Sequence, residues 1–147
     1  MKKKILALCL GVMLSLSAVA MAAVTPEAEM MSTQQVKANA WIDAMLVKHK
    51  PADSLKLMSA EFQKNVNAQQ MEKYHQDAVN DLGQLKGVSF LAWARQPGQE
   101  IDILSYLMGF EKEKFVRGAF FFDRKGNLVH FELTKLQQTD EKDAKKK

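Results

Sequence analysis

The side chains best suited to acid/base chemistry are one histidine, one aspartate and one tyrosine. His75 shares a helical face with apolar residues, while Asp102 and Tyr106 lie on one face of a predicted strand. Such a set could transfer a proton in a pocket, because histidine titrates near neutral pH. Asp102 and Tyr106 are separated by about 13 Å of strand, however, which is long for direct cooperation. A small pocket enzyme using His75, Tyr106 and Asp102 is therefore the alternative interpretation.

The rest of the sequence has no catalytic or metal-binding motif. His49, His75 and His130 are far apart and form no H-E-x-x-H pattern. Cys9 is the only cysteine, and it lies in a segment predicted to be removed, so the mature chain has no thiolate ligand or nucleophile. No nucleophile elbow, phosphate-binding loop or dinucleotide-binding glycine pattern is present. The sequence thus favours a protein without a cofactor, a metal or catalytic activity.

Residues 1–22 have the three zones of a cleavable secretory signal peptide. A lysine cluster precedes the apolar stretch Ile5 to Leu16, and Ala20-Met21-Ala22 matches the cleavage pattern. We expect an exported chain that begins at Ala23 and has no stable membrane anchor. It would be periplasmic in a bacterium with two membranes and otherwise secreted. An uncleaved anchor is the alternative, because the apolar run is just long enough to cross a bilayer.

The charge balance argues against a nucleic-acid partner. The full chain has 21 Lys and Arg against 17 Asp and Glu, a net charge of +4. Three of the lysines leave with the signal peptide, and residues 23–136 carry fourteen basic and fourteen acidic side chains. Binding to nucleic acid needs an excess of positive charge that neutralises phosphates. No such excess is available in the body of the chain.

Helical periodicity fills the first half of the mature chain. Ser32 and Gln35 have capping-box spacing before the first helix, and Asn67 and Gln70 have it before the last. Helices are predicted over residues 32–50, 52–58 and 68–82. Two segments stay open: residues 23–31 are a flexible leader or the start of a long helix, and residues 59–66 fit no single assignment.

A period of two replaces the helical period in the second half. Strands are predicted over residues 88–94, 100–110, 114–122 and 128–136, the last two joined by a tight hairpin loop with a glycine. Helices followed by a meander predict one α+β domain over residues 32–136, with the helices on one face of a curved four-stranded antiparallel sheet, a cone-like arrangement. Residues 137–147 are predicted to be a disordered, charged tail.

The predicted sheet is apolar on both faces. Phe120, Phe121 and Phe122 are consecutive, so at least one aromatic side chain must point away from the helices. Such a sheet needs a second cover. We expect this to be a small apolar ligand, a partner chain, which could be a second copy in a homodimer, or the leader packed back on the sheet. The predicted ligand or partner surface consists of Trp93, Tyr106, Met108, Phe110, Phe120 and Phe122.

Two segments carry a resemblance to a known class of domains. They are PADSLKLMSAEFQKNVNAQQMEKYHQDAVNDLGQLKGV and LMGFEKEKFVRGAFFFDRKGNLVHFEL. Together they resemble small exported bacterial domains of unknown function with the nuclear-transport-factor-like (cystatin-like) cone fold. The resemblance covers roughly residues 36–136 and implies a helix hairpin packed inside a curved sheet. It carries over no catalytic residue, because the resembled family has no agreed one. The cone fold hosts both enzymes and non-enzymes, so the fold alone does not determine activity. An exported, non-catalytic binding or interaction module is therefore the leading interpretation.

Overall fold

The computed structural model describes residues 24–137, with helices first and strands after them. The signal peptide predicted for residues 1–22 lies outside the described residues, as does the predicted tail beyond Gln137. The chain divides into two compact units, residues 1–32 and residues 33–147. The described part of the first unit is the beginning of one helix, and the second unit contains the remaining elements.

The first helix begins earlier than its capping-box pattern suggests. Helix α1 spans Pro26–Ile42 and continues as a π-helical turn over Asp43–Val47. The Thr25 side chain accepts a hydrogen bond from the Ala28 N–H at 3.2 Å, so Thr25 caps the helix and Pro26 occupies its first position. Residues 26–31 are therefore helical, which is the second of the two possibilities that the sequence leaves open for residues 23–31.

Three shorter helices follow. Helix α2 spans Pro51–Lys56, α3 spans Ala60–Asn65 and α4 spans Ala68–Leu82. Ser59 resolves the ambiguous segment, because its hydroxyl accepts the Phe62 N–H at 3.2 Å and starts α3. Helix α4 has the predicted limits. Asn67 and Gln70 exchange two hydrogen bonds of 2.9 Å in a capping box, and Gly83 ends the helix at φ 78°.

Four strands form one antiparallel sheet in the order β1-β2-β3-β4. They span Leu85–Gln96, Ile101–Phe110, Val116–Phe122 and Leu128–Lys135. The predicted fold class is confirmed: helices are followed by a four-stranded antiparallel meander. At β4 the segment between α2 and α3 continues the sheet edge, since the Ser59 N–H donates to the Leu128 carbonyl at 2.8 Å.

The core lies between the helices and one face of strands β2, β3 and β4. Trp41 of α1 meets the Phe120 ring edge-on at 5.3 Å and the Phe131 ring at 4.4 Å. Fully buried side chains surround this aromatic cluster, namely Met45, Met71, Leu104, Met108, Val116, Phe122 and Leu128. The interior face of the sheet is therefore filled by the protein's own side chains.

Candidate interaction surface

Strand β1 differs from the other three strands because it buries none of its residues. It is the longest strand, at 12 residues, yet every side chain is exposed except those of Leu85 and Trp93, which are half-buried. Val88, Phe90 and Leu91 are exposed to 39%, 43% and 50%. Large apolar side chains are rarely left in water together on a strand without a reason in function or assembly. These three residues with the free backbone edge of β1 are called the β1 surface below.

The hydrogen bonds around β2 establish which backbone groups of β1 are free. The Phe110 N–H donates to Glu113 on the β3 side at 2.8 Å, whereas the Glu111 N–H donates to Gln84 on the β1 side at 3.0 Å. Backbone directions alternate along a strand, so the odd-numbered residues of β2 are bonded to β1. Their partners in the register are Gly87, Ser89, Ala92, Ala94 and Gln96.

Other residues of β1 direct their backbone groups away from β2. These include Val88, Phe90 and Trp93, which alternate with the bonded residues. Within residues 24–137 no strand pairs with this edge. The edge therefore presents a row of N–H and C=O groups beside the exposed apolar side chains.

A β-bulge shapes the middle of this edge. The register shifts between Phe90 and Ala92, so Leu91 is the extra residue on β1. The bulge lets Phe90 and Trp93 both lie on the helix-facing side of the sheet, opposite Tyr106 and Leu104. It thereby keeps two aromatic side chains on one side, with Leu91 exposed between them.

Phe90 connects the β1 surface to the core. Its ring meets the Tyr106 ring edge-on at 5.8 Å, and Tyr106 meets Phe120 in the same manner at 5.7 Å. Tyr106 is buried, and its burial raises the pKa of its hydroxyl. That hydroxyl has no hydrogen-bond partner among the described residues. Tyr106 is thus the layer beneath Phe90 and not an exposed acid or base.

Asp102 belongs to a buried polar network below the end of β1. Its carboxylate accepts hydrogen bonds from Arg95 Nε at 2.8 Å and from Gln34 Nε2 at 2.9 Å. The Trp93 indole N–H donates to Gln34 Oε1 at 2.9 Å, and the Arg95 guanidinium lies 5.3 Å from the Trp93 ring centre. Burial raises the pKa of Asp102, but the bonds from Arg95 and Gln34 outweigh it, and the net pKa is lowered. The network joins α1 to the β1–β2 hairpin.

His75 has different partners. Its Nε2 lies 2.8 Å from Nδ1 of His49, and His49 Nε2 lies 2.8 Å from the Gln84 side-chain oxygen. Burial and the neighbouring His49 lower the pKa of His75, while Glu72 acts in the opposite direction. The pair joins the end of α1, helix α4 and the residue before β1.

The predicted proton-transfer set is not assembled. No hydrogen bond joins any two of His75, Tyr106 and Asp102. His75 is bonded to His49 and Asp102 to Arg95 and Gln34, while the Tyr106 hydroxyl has no partner among the described residues. Five of the six predicted surface residues are core residues, namely Tyr106, Met108, Phe110, Phe120 and Phe122. Trp93 is half-buried, and it is the only one of the predicted surface residues that belongs to β1. The exposed apolar residues of the sheet are instead on its first strand.

A positional signal in the sequence could have identified the β1 surface. The first strand of a meander lies at a sheet edge, and the apolar run VSFLAWA belongs to that strand, but the predicted ligand or partner surface was not based on this position. On the sheet face that points away from the helices, Phe121 and Ser105 are less exposed than the exposed apolar side chains of β1. Phe121 contacts the His130 ring at 5.3 Å, and Arg117 covers Ser105 with hydrogen bonds of 3.3 and 3.0 Å. Phe121 is the phenylalanine of the three that points away from the helices.

Residues 24–137 contain neither a cluster of metal ligands nor a helix that could span a membrane. No three His, Cys, Asp or Glu side chains lie where they could hold a metal ion. None of the helices in this range is both long enough and apolar enough to span a bilayer. Comparisons with protein-family models, with curated proteins and with solved structures found no match for the chain. The function is therefore argued from the surface of the protein itself.

Proposed function

We propose that the chain is an exported, non-catalytic interaction module that binds an extended polypeptide segment along the free edge of β1. The observation that supports this most directly is a 12-residue strand that buries none of its side chains. An added strand would receive hydrogen bonds from the outward backbone groups of β1 and would cover Val88, Phe90 and Leu91. Both contributions are typical of peptide recognition by strand addition.

The sequence of β1 supports the same proposal. Proteins that must avoid edge pairing place lysine or proline on the edge or shorten the strand. Residues 88–94 contain neither a charged residue nor a proline. The bulge at Leu91 twists the edge but leaves the apolar side chains exposed. Over these seven residues the edge has the composition of a binding strand.

The separate environments of the titratable groups support a non-catalytic role. Asp102 is fully engaged by Arg95 and Gln34, Tyr106 is sealed beneath Phe90, and His75 is bonded to His49. Helices packed on one face of the sheet are compatible with the nuclear-transport-factor-like cone that the sequence resembles. Export rests on the signal-peptide pattern of residues 1–22.

Site-specific photo-crosslinking in the exporting cell tests this function. A photoreactive amino acid replaces Phe90 on the β1 surface, and in a matched control it replaces Val47, which is exposed to 56% at the end of α1. We expect an adduct with a polypeptide from position 90 and none from position 47. The adduct should disappear when Val88→Pro is added, because proline removes one outward N–H of β1.

Three results would overturn the proposal. Equal adducts from both positions, or no adduct from position 90, would show that β1 is not the contact surface. An adduct that survives Val88→Pro would show that contact does not depend on the backbone edge. Circular dichroism of the Val88→Pro chain establishes that it is folded before the crosslinking result is interpreted.

A further inference from the structure

We infer that the strand bound by β1 is the same strand of a second copy of this chain. This inference rests on the proposed function and names its partner. In such a homodimer two β1 strands pair antiparallel around a two-fold axis, and the two sheets join into one sheet of eight strands. The new strand pair would have the same antiparallel arrangement as every pair already in the sheet.

The geometry of β1 suits a two-fold axis perpendicular to the sheet. Identical antiparallel strands keep the same side chains on the same sheet face, so both helical layers would lie on one side. Val88 and Phe90 of each copy are on this helix-facing side, opposite Met108 and Tyr106 in the β1–β2 register. The pairing would therefore place four exposed apolar side chains together in the gap between the two helical layers.

Charge does not oppose self-association at this edge. Lys86, near one end of β1, forms an ion pair with Glu111 at 3.2 Å, and Arg95, near the other end, forms one with Asp102 at 2.8 Å. Antiparallel pairing would bring the Lys86 end of one strand toward the Arg95 end of the other, and both positive charges are already compensated. The body of the chain carries equal numbers of acidic and basic residues, so two copies do not repel each other at long range.

The charged tail is a less suitable occupant than a second copy. Residues 138–147 contain one alanine and no larger apolar residue. A segment of that composition could supply backbone groups but could not cover Val88, Phe90 and Leu91. The β1 strand of a second copy supplies both the backbone groups that would pair with this edge and the apolar side chains that would cover it.

Sedimentation equilibrium of the chain recovered from the exported fraction tests the inference across a wide concentration range. The contact is a strand edge and thus a small interface, so we expect a reversible, concentration-dependent dimer. Val88→Pro and Phe90→Lys should each raise the dissociation constant at least about tenfold, since they remove a central donor and a central apolar contact. Val47→Lys, a substitution of an exposed valine outside β1, should leave it unchanged.

Three other outcomes would overturn the inference, and they separate it from the proposed function. A dimer that is unaffected by both β1 variants would use another surface. A monomer at all concentrations, with a photo-adduct at position 90 of another protein's mass, would refute the second copy and retain strand addition. A monomer with no adduct at position 90 would refute both. The expected adduct mass is twice that of the single chain.

Discussion

His49 and His75 lie 2.8 Å apart, nitrogen to nitrogen, although 26 residues separate them. The Gln84 side-chain oxygen lies 2.8 Å from the other nitrogen of His49 and can only accept a hydrogen bond, so the His49 Nε2–H donates to it. His49 Nδ1 therefore accepts, and His75 Nε2 donates. This direction holds for neutral rings and is assigned from the hydrogen-bond partners. The remaining nitrogen of His75, Nδ1, is buried without a partner among the described residues.

Acidification should destabilise the fold through this histidine pair. A proton added to the pair leaves an N–H of His75 buried without an acceptor, and the pKa of His75 is lowered, first by burial and then by His49. A histidine in an unfolded chain has a pKa of about 6.5. Below this pH the unfolded chain therefore binds more protons than the folded chain does. The stability that His75 contributes above this pH is lost as the pH falls towards the lowered pKa of His75 in the folded chain.

Urea unfolding at pH 7.5 and at pH 5.5 measures this loss. We expect a lower free energy of unfolding at pH 5.5, and we expect His75→Gln to reduce the difference between the two values. His130→Gln is the control, because His130 is exposed and contacts Glu132 at 3.3 Å on the opposite sheet face. An unchanged pH dependence in His75→Gln would contradict the assignment of the destabilisation to the pair.

The Asp102 network should be a major contributor to stability. Asp102→Ala would leave the fully buried Gln34 amide without its acceptor and would remove the carboxylate partner of Arg95. We expect a loss of about 2–3 kcal/mol in the free energy of unfolding at pH 7, since hydrogen bonds to charged groups are the strong ones. Chemical denaturation of the purified chain measures this difference.

An exposed ion pair provides the comparison for Asp102. Glu100 and Arg124 lie 3.3 Å apart with both side chains more than half exposed, at 62% and 69%. Glu100→Gln should cost less than about 0.5 kcal/mol, because water and salt screen such pairs. Equal losses in Asp102→Ala and Glu100→Gln would mean that the buried network contributes no more than a surface contact.

Local signals in the sequence predicted much of the fold. Helix α4 has the predicted limits: it begins after the capping box at Asn67 and ends at Leu82, which Gly83 follows. The period of two predicted β4. The tight loop before it is formed around Asp123, whose carboxylate accepts the Asn127 N–H at 2.8 Å. These features depend on residues close in sequence, where spacing alone restricts the backbone.

The candidate site was less predictable, because it depends on which side chains the helices cover. Met108, Phe120 and Phe122 alternate as a binding face would, but the helices occupy that face and make it the core. The partner of His75 lies 26 residues away, and that of Asp102 lies 68 residues away at Gln34. No periodicity connects residues so distant. The side chains of β1 are exposed because β1 is an edge strand of the sheet.

The capping box of α4 gives a prediction that is independent of the proposed function. Asn67→Ala removes the acceptor of the Gln70 N–H and should lower the free energy of unfolding by about 1 kcal/mol. Gln69→Ala, an exposed change in the first turn of the same helix, should have no measurable effect. Thermal and urea unfolding of both variants measure the difference. Equal effects would show that the cap does not determine the stability of α4.

Two phenylalanines illustrate the difference between the β1 surface and the core. Phe120 is fully buried against Trp41 and Tyr106, so Phe120→Ala should lower the free energy of unfolding by about 3–5 kcal/mol. Phe90 is exposed to 43%, so Phe90→Ala should cost only about 1 kcal/mol at dilute, monomeric concentrations.

For association we expect the opposite order: Phe90→Ala should weaken the dimer more than Phe120→Ala does. Phe90→Ala removes an exposed side chain from the paired edge and should weaken the dimer while the monomer stays folded. Phe120→Ala leaves the β1 surface in place, so any chain that remains folded should still associate. Urea unfolding and sedimentation equilibrium of both variants measure the two effects. A large loss of stability in Phe90→Ala with unchanged association would mean that Phe90 is a core residue and that β1 is not a binding strand.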